Sequence, residues 1–142
     1  MILAQIARPP VTVAIEAPRR RVARGDKLDL MLTLAVDPGY RIESVDAPAG
    51  RARATSIQLG LAEGLTPGPM TAPEDSVDPL GGGRVPAYVG RIAIRVPLTV
   101  EAGCLPGPAP LAARVLFQAT GERGVLPPDQ IEVHAELDVA AG

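Results

Sequence analysis

Leu28-Asp29-Leu30-Met31-Leu32-Thr33-Leu34-Ala35-Val36 sets five aliphatic side chains on every second position, with Asp29, Met31, Thr33 and Ala35 between them. A period of two is what a half-buried strand needs, because successive side chains leave a pleated backbone on opposite faces. Asp37-Pro38-Gly39 then stops the pattern with turn chemistry. The same alternation recurs on either side. Upstream, Val11, Val13 and Ile15 alternate with Thr12, Ala14 and Glu16. Downstream come Ile92, Ile94, Val96, Leu98 and Val100, then Ala113, Val115 and Phe117, then Ile131, Val133, Ala135, Leu137 and Val139. Shorter candidates cover Tyr40 to Val45, closed by Pro48 and Gly50, and Thr55 to Leu59. Such spacing predicts an all-β, immunoglobulin-like sandwich of about seven to nine short strands. Residues 60–87, rich in Pro, Gly and acids, read as one long loop, and Gly103 to Pro110 as another.

Composition agrees with a single domain. The chain has 142 residues, of which 46% are hydrophobic, and a net charge of −2. That fits one packed core and argues against disorder. Sixteen prolines and fifteen glycines are spread along it, which disfavours long helices. Residues 1–9 read as a flexible N-terminal extension, and 1–142 as one unit. The apolar opening Met1-Ile2-Leu3-Ala4-Gln5-Ile6-Ala7 is short for a signal peptide, and no run approaches the ~20 apolar residues of a membrane span. Either a natural cytosolic protein or an excised domain with an added initiator Met fits this opening.

The chemical equipment is sparse. One cysteine, Cys104, and one histidine, His134, exclude an intrachain disulfide and the usual zinc sets. Neutral charge and three aromatics (Tyr40, Tyr88 and Phe117) argue against nucleic acid. No cofactor and no metal site is expected. His134 lies between Glu132 and Glu136 on a polar strand face, where a general base is conceivable but a solvated surface is the simpler reading. Ser44, Ser56 and Ser76 lack a nucleophile-elbow context. Gly81-Gly82-Gly83-Arg84 lacks the Lys-Ser/Thr ending of a phosphate loop, and Glu74, Asp75 and Asp78 lack EF-hand spacing. Arg19-Arg20-Arg21 reads as a solvated turn. No His or Lys adjoins Cys104 to activate its thiol, so an inert thiol is expected there.

The most specific stretch is Phe117-Gln118-Ala119-Thr120-Gly121-Glu122-Arg123-Gly124-Val125-Leu126-Pro127-Pro128. It resembles a signature of the N-terminal domain of the DsbD family, thiol:disulfide interchange proteins of the bacterial envelope. Val36 to Ile42 and Tyr88 to Leu98 resemble a turn and a strand of the same domain. The resemblance spans roughly residues 10 to 140 and implies an immunoglobulin-like sandwich in the periplasm. It places the family's two redox cysteines at Thr120 and Val125. Dithiol exchange needs an attacking thiolate and a second, resolving sulfur, so that activity is expected to be absent. The family's cap loop also carries a shielding aromatic, and residues 66–87 hold no aromatic before Tyr88.

The resulting expectation is a non-catalytic binding or accessory module of an envelope redox or cytochrome-biogenesis type protein. Its partner would be a thioredoxin-like or other envelope protein, and its contact residues Phe117, Gln118, Leu126, Pro127 and Tyr88. The alternatives are a structural immunoglobulin-like spacer and an enzyme with an unrecognised site around His134.

Overall fold

The structure is a computed structural model that describes residues 1–45, 47, 52–73, 76–77 and 84–141. In chain order its strands are β1 (Ile2–Arg8), β2 (Val11–Glu16), β3 (Arg21–Val22), β4 (Lys27–Val36), β5 (Arg41–Glu43), β6 (Ser56–Leu61), β7 (Leu65–Pro67) and β8 (Ser76–Val77). There follow β9 (Arg84–Val85), β10 (Ala87–Tyr88), β11 (Arg91–Val100), β12 (Gly107–Phe117), β13 (Ala119–Gly121), β14 (Gly124–Val125) and β15 (Asp129–Val139). No helix occurs among the described residues. Seven strands, β1, β2, β4, β6, β11, β12 and β15, are six residues or longer. They make the expected all-β, immunoglobulin-like sandwich.

One sheet runs β1-β2-β4-β11-β7 and the other β3-β15-β12-β6. The alternation read from the sequence fixes which face each presents. In the first sheet Ile92 opposes Leu34, Ile94 opposes Leu32, and Val96 opposes Leu30. In the second, Val115 opposes Ile131 and Ala113 opposes Val133. These inward side chains join in one core. Each buried aliphatic side chain contributes about 1.5–3 kcal/mol of transfer free energy. The outward residues pair in water: Arg95 Nε lies 2.8 Å from Asp29 Oδ2, and Arg114 Nη2 lies 3.3 Å from Glu132 Oε2.

Three stretches differ from the sequence expectation. Residues 1–9 are no loose extension: Ile6 opposes Val13 and Arg8 opposes Val11, so β1 adds a strand to the first sheet across Pro9-Pro10. Ile2 and Ile6 remain exposed while Leu3 and Ala4 pack partly against the core, so ladder hydrogen bonds and limited burial together hold the strand. Residues 60–87 are likewise not one loop. Leu65, Thr66 and Pro67 pair with Val100, Thr99 and Leu98, and Thr71 bridges to Arg95. A sheet edge tolerates Pro67, whose missing N–H costs little where no neighbour waits. Similarly, β12 begins at Gly107, inside the expected 103–110 loop, because β15 continues to Val139 and carries the ladder with it. The turn predicted at Pro48 and Gly50 lies outside the described residues.

The N-terminal strand is tied to β15 by charge as well. Arg8 Nε donates to Asp129 Oδ2 at 2.7 Å. That bond, helped by the Gln130 N–H and opposed by partial burial, holds the Asp129 carboxyl below its usual range. A depressed carboxylate stabilises the fold fully above its unfolded pKa of about 3.9, and that stabilisation is lost as pH falls through the lower folded value. The Arg8 side chain is 62% exposed, so the pair is worth less than about 1 kcal/mol. The chain carrying Asp129→Asn should therefore unfold slightly more easily than the parent at neutral pH. The two denaturation midpoints should begin to converge below about pH 4 and meet only below the lower folded value. A difference that persists undiminished in acid would show that the carboxylate charge is not what matters.

Candidate functional site

A small sheet, β10-β5-β13-β14, caps one end of the sandwich. It is built from the stretch that the sequence singled out. Phe117 ends β12 in the core at 3% exposure, and the chain re-emerges through Ala119 into the β13–β14 hairpin. Ala119 opposes Ile42 and Thr120 opposes Arg41. Ile42 and Ala119 are buried, so strand alternation turns the row of Arg41, Thr120 and Val125 away from the core. Thr120 directly opposes Val125, and Gly121 opposes Gly124. The Leu126 N–H donates to Ala119 O at 2.8 Å. Thr120–Val125 is therefore the adjacent, non-hydrogen-bonded pair, the position where opposed side chains approach most closely.

Gln118 staples the hairpin base. Its Nε2 donates to Leu126 O at 3.0 Å, and its Oε1 accepts from the Arg53 N–H at 2.9 Å. One side chain thus holds two backbone segments. Tyr88 and Phe117, expected as contact residues, are buried instead and support the site from beneath. The Tyr88 hydroxyl donates to Pro73 O at 2.7 Å and accepts from the Val45 N–H at 3.3 Å. Leu126 and Pro127 are exposed, as a contact surface requires.

Tyr40 is the residue that sequence reasoning missed. A Cβ on Gly121 would sit 2.8 Å from Tyr40 Cε1, so the ring lies directly against the hairpin. The aromatic absent from residues 66–87 comes instead from the β4–β5 turn. Its signal was the Pro38-Gly39-Tyr40 turn combined with a glycine at position 121. Tyr40, Val125 and Leu126 are 38%, 39% and 36% exposed. This end of the domain therefore shows water an apolar patch rimmed by the exposed Arg41, Glu122 and Arg123.

The other candidates are dispersed. Cys104 follows β11 and precedes β12, whereas Thr120 follows the far end of β12. An eleven-residue strand separates them, roughly 35 Å at strand rise. Cys104 is 3% exposed and has no disulfide partner. His134 is exposed, with Nε2 3.1 Å from Glu132 Oε1. Ser56 shares Leu116 as a neighbour with Gln130, four residues along β15 from His134, so the Ser56 hydroxyl does not reach the imidazole. Ser44 is fully buried.

Arg19, Arg20 and Arg21 are engaged by Asp26, the Glu136 carbonyl and Asp138, which ties down their turn. The Ala23 N–H and the Arg19 guanidinium together hold the Asp26 carboxyl below its ordinary range. A broad depression of about 690 Å³ on the outer face of the second sheet is floored by Gly60 and Ala112. Of its polar side chains, Arg20, His134 and Glu136, the first two already have partners. Among the described residues no three His, Cys, Asp or Glu side chains gather as for a metal. The Glu74, Asp75 and Asp78 cluster and the Gly81-Gly82-Gly83 run lie outside the described residues, as does the side chain of Ser76.

No known family model matches the chain. No curated protein sequence matches it either. Solved structures do. The N-terminal periplasmic domain of ScsB from Proteus mirabilis superposes with a TM-score of 0.59 at 13% identity, covering 96% of this chain and 51% of that one. This chain therefore spans about half of that structure's length. The GAE domain of yeast GGA1 superposes at 0.54 with 14% identity and 96% coverage of both chains. The DsbD N-terminal domain of Neisseria meningitidis, in reduced form, gives 0.47 at 18% identity over 92% of this chain and 86% of that one. The likenesses to the ScsB and GGA1 domains establish a shared sandwich fold. Because proteins as different as ScsB and GGA1 share it, function has to be argued from the site. No helix among the described residues is long and apolar enough to cross a membrane.

Proposed function

We propose that this domain is a non-catalytic binding module of an envelope redox-type protein, docking a partner on the β13–β14 end of the sandwich. One observation carries the proposal: Thr120 and Val125 face each other across the hairpin on the non-hydrogen-bonded pair. Two sulfurs there would meet, and this chain puts a hydroxyl and an isopropyl group in their place. The scaffold around the pair is intact, with Gln118 locking the base and Tyr40 lying on the turn. The surface left behind sets Tyr40, Val125 and Leu126 beside the exposed Arg41 opposite Thr120, an apolar patch with a charged rim that suits protein contact better than small-molecule chemistry. An extracytoplasmic location is part of the proposal, in keeping with the sequence resemblance and with a fold neighbour that is itself a periplasmic domain.

The test uses a purified thioredoxin-like envelope domain as the probe. The chain should neither reduce nor oxidise it, and should show one slowly titrating thiol. Binding should perturb the amide signals of Tyr40, Thr120, Val125 and Leu126. Replacing Val125 and Leu126 together by Asp should weaken that binding by roughly tenfold or more, the loss expected when a charge enters an apolar contact. A mixed disulfide formed rapidly through Cys104 would overturn the non-catalytic assignment. Binding that leaves the hairpin signals unmoved would overturn the docking site.

A further inference from the structure

We infer that the open edge of β6 accepts an extended peptide strand from a protein partner, at a surface separate from the β13–β14 hairpin. A sheet edge exposes unpaired N–H and C=O groups, and proteins ordinarily blunt such edges by shortness, proline, charge or cover. The other edges here follow that rule. β3 has two residues, β7 has three and includes Pro67, and β14 has two. β1 is tied to β15 through Arg8 and Asp129. By contrast β6, Ser56-Ile57-Gln58-Leu59-Gly60-Leu61, has six residues without a charge or a proline. Among the described residues it pairs with β12 alone.

The register identifies the free groups. The Ala62 N–H donates to Pro110 O at 2.9 Å. Counting back along the antiparallel pairs, Gly60, Gln58 and Ser56 direct their backbone bonds to Ala112, Arg114 and Leu116. Ile57, Leu59 and Leu61 therefore turn their N–H and C=O groups to the open side. Their side chains point inward, yet all three are only half-buried. Beside Ile57 lies a cleft of about 420 Å³ between the sheets, lined by Ile57, Ile94, Met70, Ala72, Val45 and Thr55. A strand laid on β6 would hydrogen-bond the three residues and bring the inward side chain beside Ile57 over this cleft. That combination, main-chain bonds for affinity and a side-chain pocket for selectivity, is how sheet edges capture peptides.

The occupant is an extended segment with small apolar residues at alternate positions, not a second copy of this chain. Pairing β6 with β6 would offer six residues per copy, where stable interfaces use roughly 20–30 a side. The uncharged edge suits a neutral peptide backbone and gives no charge pair to set a protein dimer.

The probe is a short acetylated and amidated peptide in which valine and threonine alternate, titrated into the full chain. At saturation the amides of Ile57, Leu59 and Leu61 should exchange roughly tenfold more slowly. The same peptide N-methylated at every second residue keeps its side chains but loses its facing donors, and should bind at least about tenfold more weakly. Leu59→Pro removes the central free donor without touching the β12 ladder, and should weaken binding comparably. If that variant does not fold, the methylated peptide decides. Unchanged exchange at the three amides would overturn the inference, as would equal binding of the methylated peptide. Concentration-dependent protection of β6 without any peptide, with dimers in sedimentation, would assign the edge to self-association instead.

Discussion

Replacing Gly64 by alanine should lower the stability of the fold by about 3 kcal/mol, from roughly 1–3 of overpacking and 1–2 of backbone strain. For a chain of this size that is a fall of roughly 10 °C in Tm. Gly64 has φ +93°, a left-handed conformation that side chains rarely adopt. A Cβ there would sit 2.8 Å from Cα, Cβ and Sγ of Cys104. Two of those atoms are fixed by the backbone, so no rotamer change relieves the contact. The Cys104 loop is itself pinned, since the Glu101 N–H donates to Gly64 O at 2.8 Å and the Cys104 N–H to Glu101 O at 3.0 Å. Gly25 supplies the control. Its φ is +89°, and nothing lies within 4 Å of its missing Cβ. Gly25→Ala should cost only the conformational part, about 1–2 kcal/mol. Equal losses in the two variants, measured by urea denaturation, would show that the Cys104 contact contributes nothing.

That contact also explains what the lone cysteine does. The sequence marked Cys104 as a thiol without an activating neighbour, and the fold buries it against a glycine at the base of the β11–β12 connection. Its role is packing. Such a role was invisible beforehand, because Gly64 and Cys104 lie forty residues apart and meet only when β7 pairs with β11.

The long strands were legible for the opposite reason. Alternation in Leu28 to Val36, Ile92 to Val100 and Ile131 to Val139 is local, and burial of one face is what produces it. β1 and β7 carry no such imprint. Ile2, Leu3, Ala4 and Ile6 do not alternate, and Leu65-Thr66-Pro67 is too short for a period to show. Both pair by ladder bonds with a longer strand, and each buries only one or two side chains, Leu3 and Ala4 in β1 and Leu65 in β7. The site divides in the same way. Thr120, Val125, Gln118 and Leu126 were found together because one short hairpin holds them. Tyr40 was missed because it reaches Gly121 from another strand turn. Tyr88 and Phe117 were placed at the surface by analogy, whereas their size and apolarity draw them into the core.

The double variant Thr120→Cys/Val125→Cys should oxidise to a disulfide in the folded chain, and the parent cannot. Opposed residues at a non-hydrogen-bonded antiparallel pair lie about 4.5 Å apart at Cα, at the short end of the roughly 4.4–6.8 Å that a disulfide spans. Thiol titration of the unfolded, oxidised variant should then find Cys104 alone, and reduction should restore the other two thiols. Closing so short a loop should raise stability by about 2 kcal/mol, provided the hairpin keeps its geometry. The chemistry should follow the sulfur. With Val125 39% exposed, a thiolate at that position is open to a partner disulfide. It would attack one sulfur of that disulfide, release the other as a thiolate, and leave a mixed disulfide. The thiolate at position 120 would then displace the partner's remaining sulfur, so the domain ends oxidised and the partner reduced. Exchange with a thioredoxin-like domain by the double variant, absent in the parent and in either single variant, would mean that the scaffold for disulfide transfer survives without its sulfurs. A double variant that stays a dithiol under oxidising conditions while folded would refute the Thr120–Val125 pairing, and with it the site.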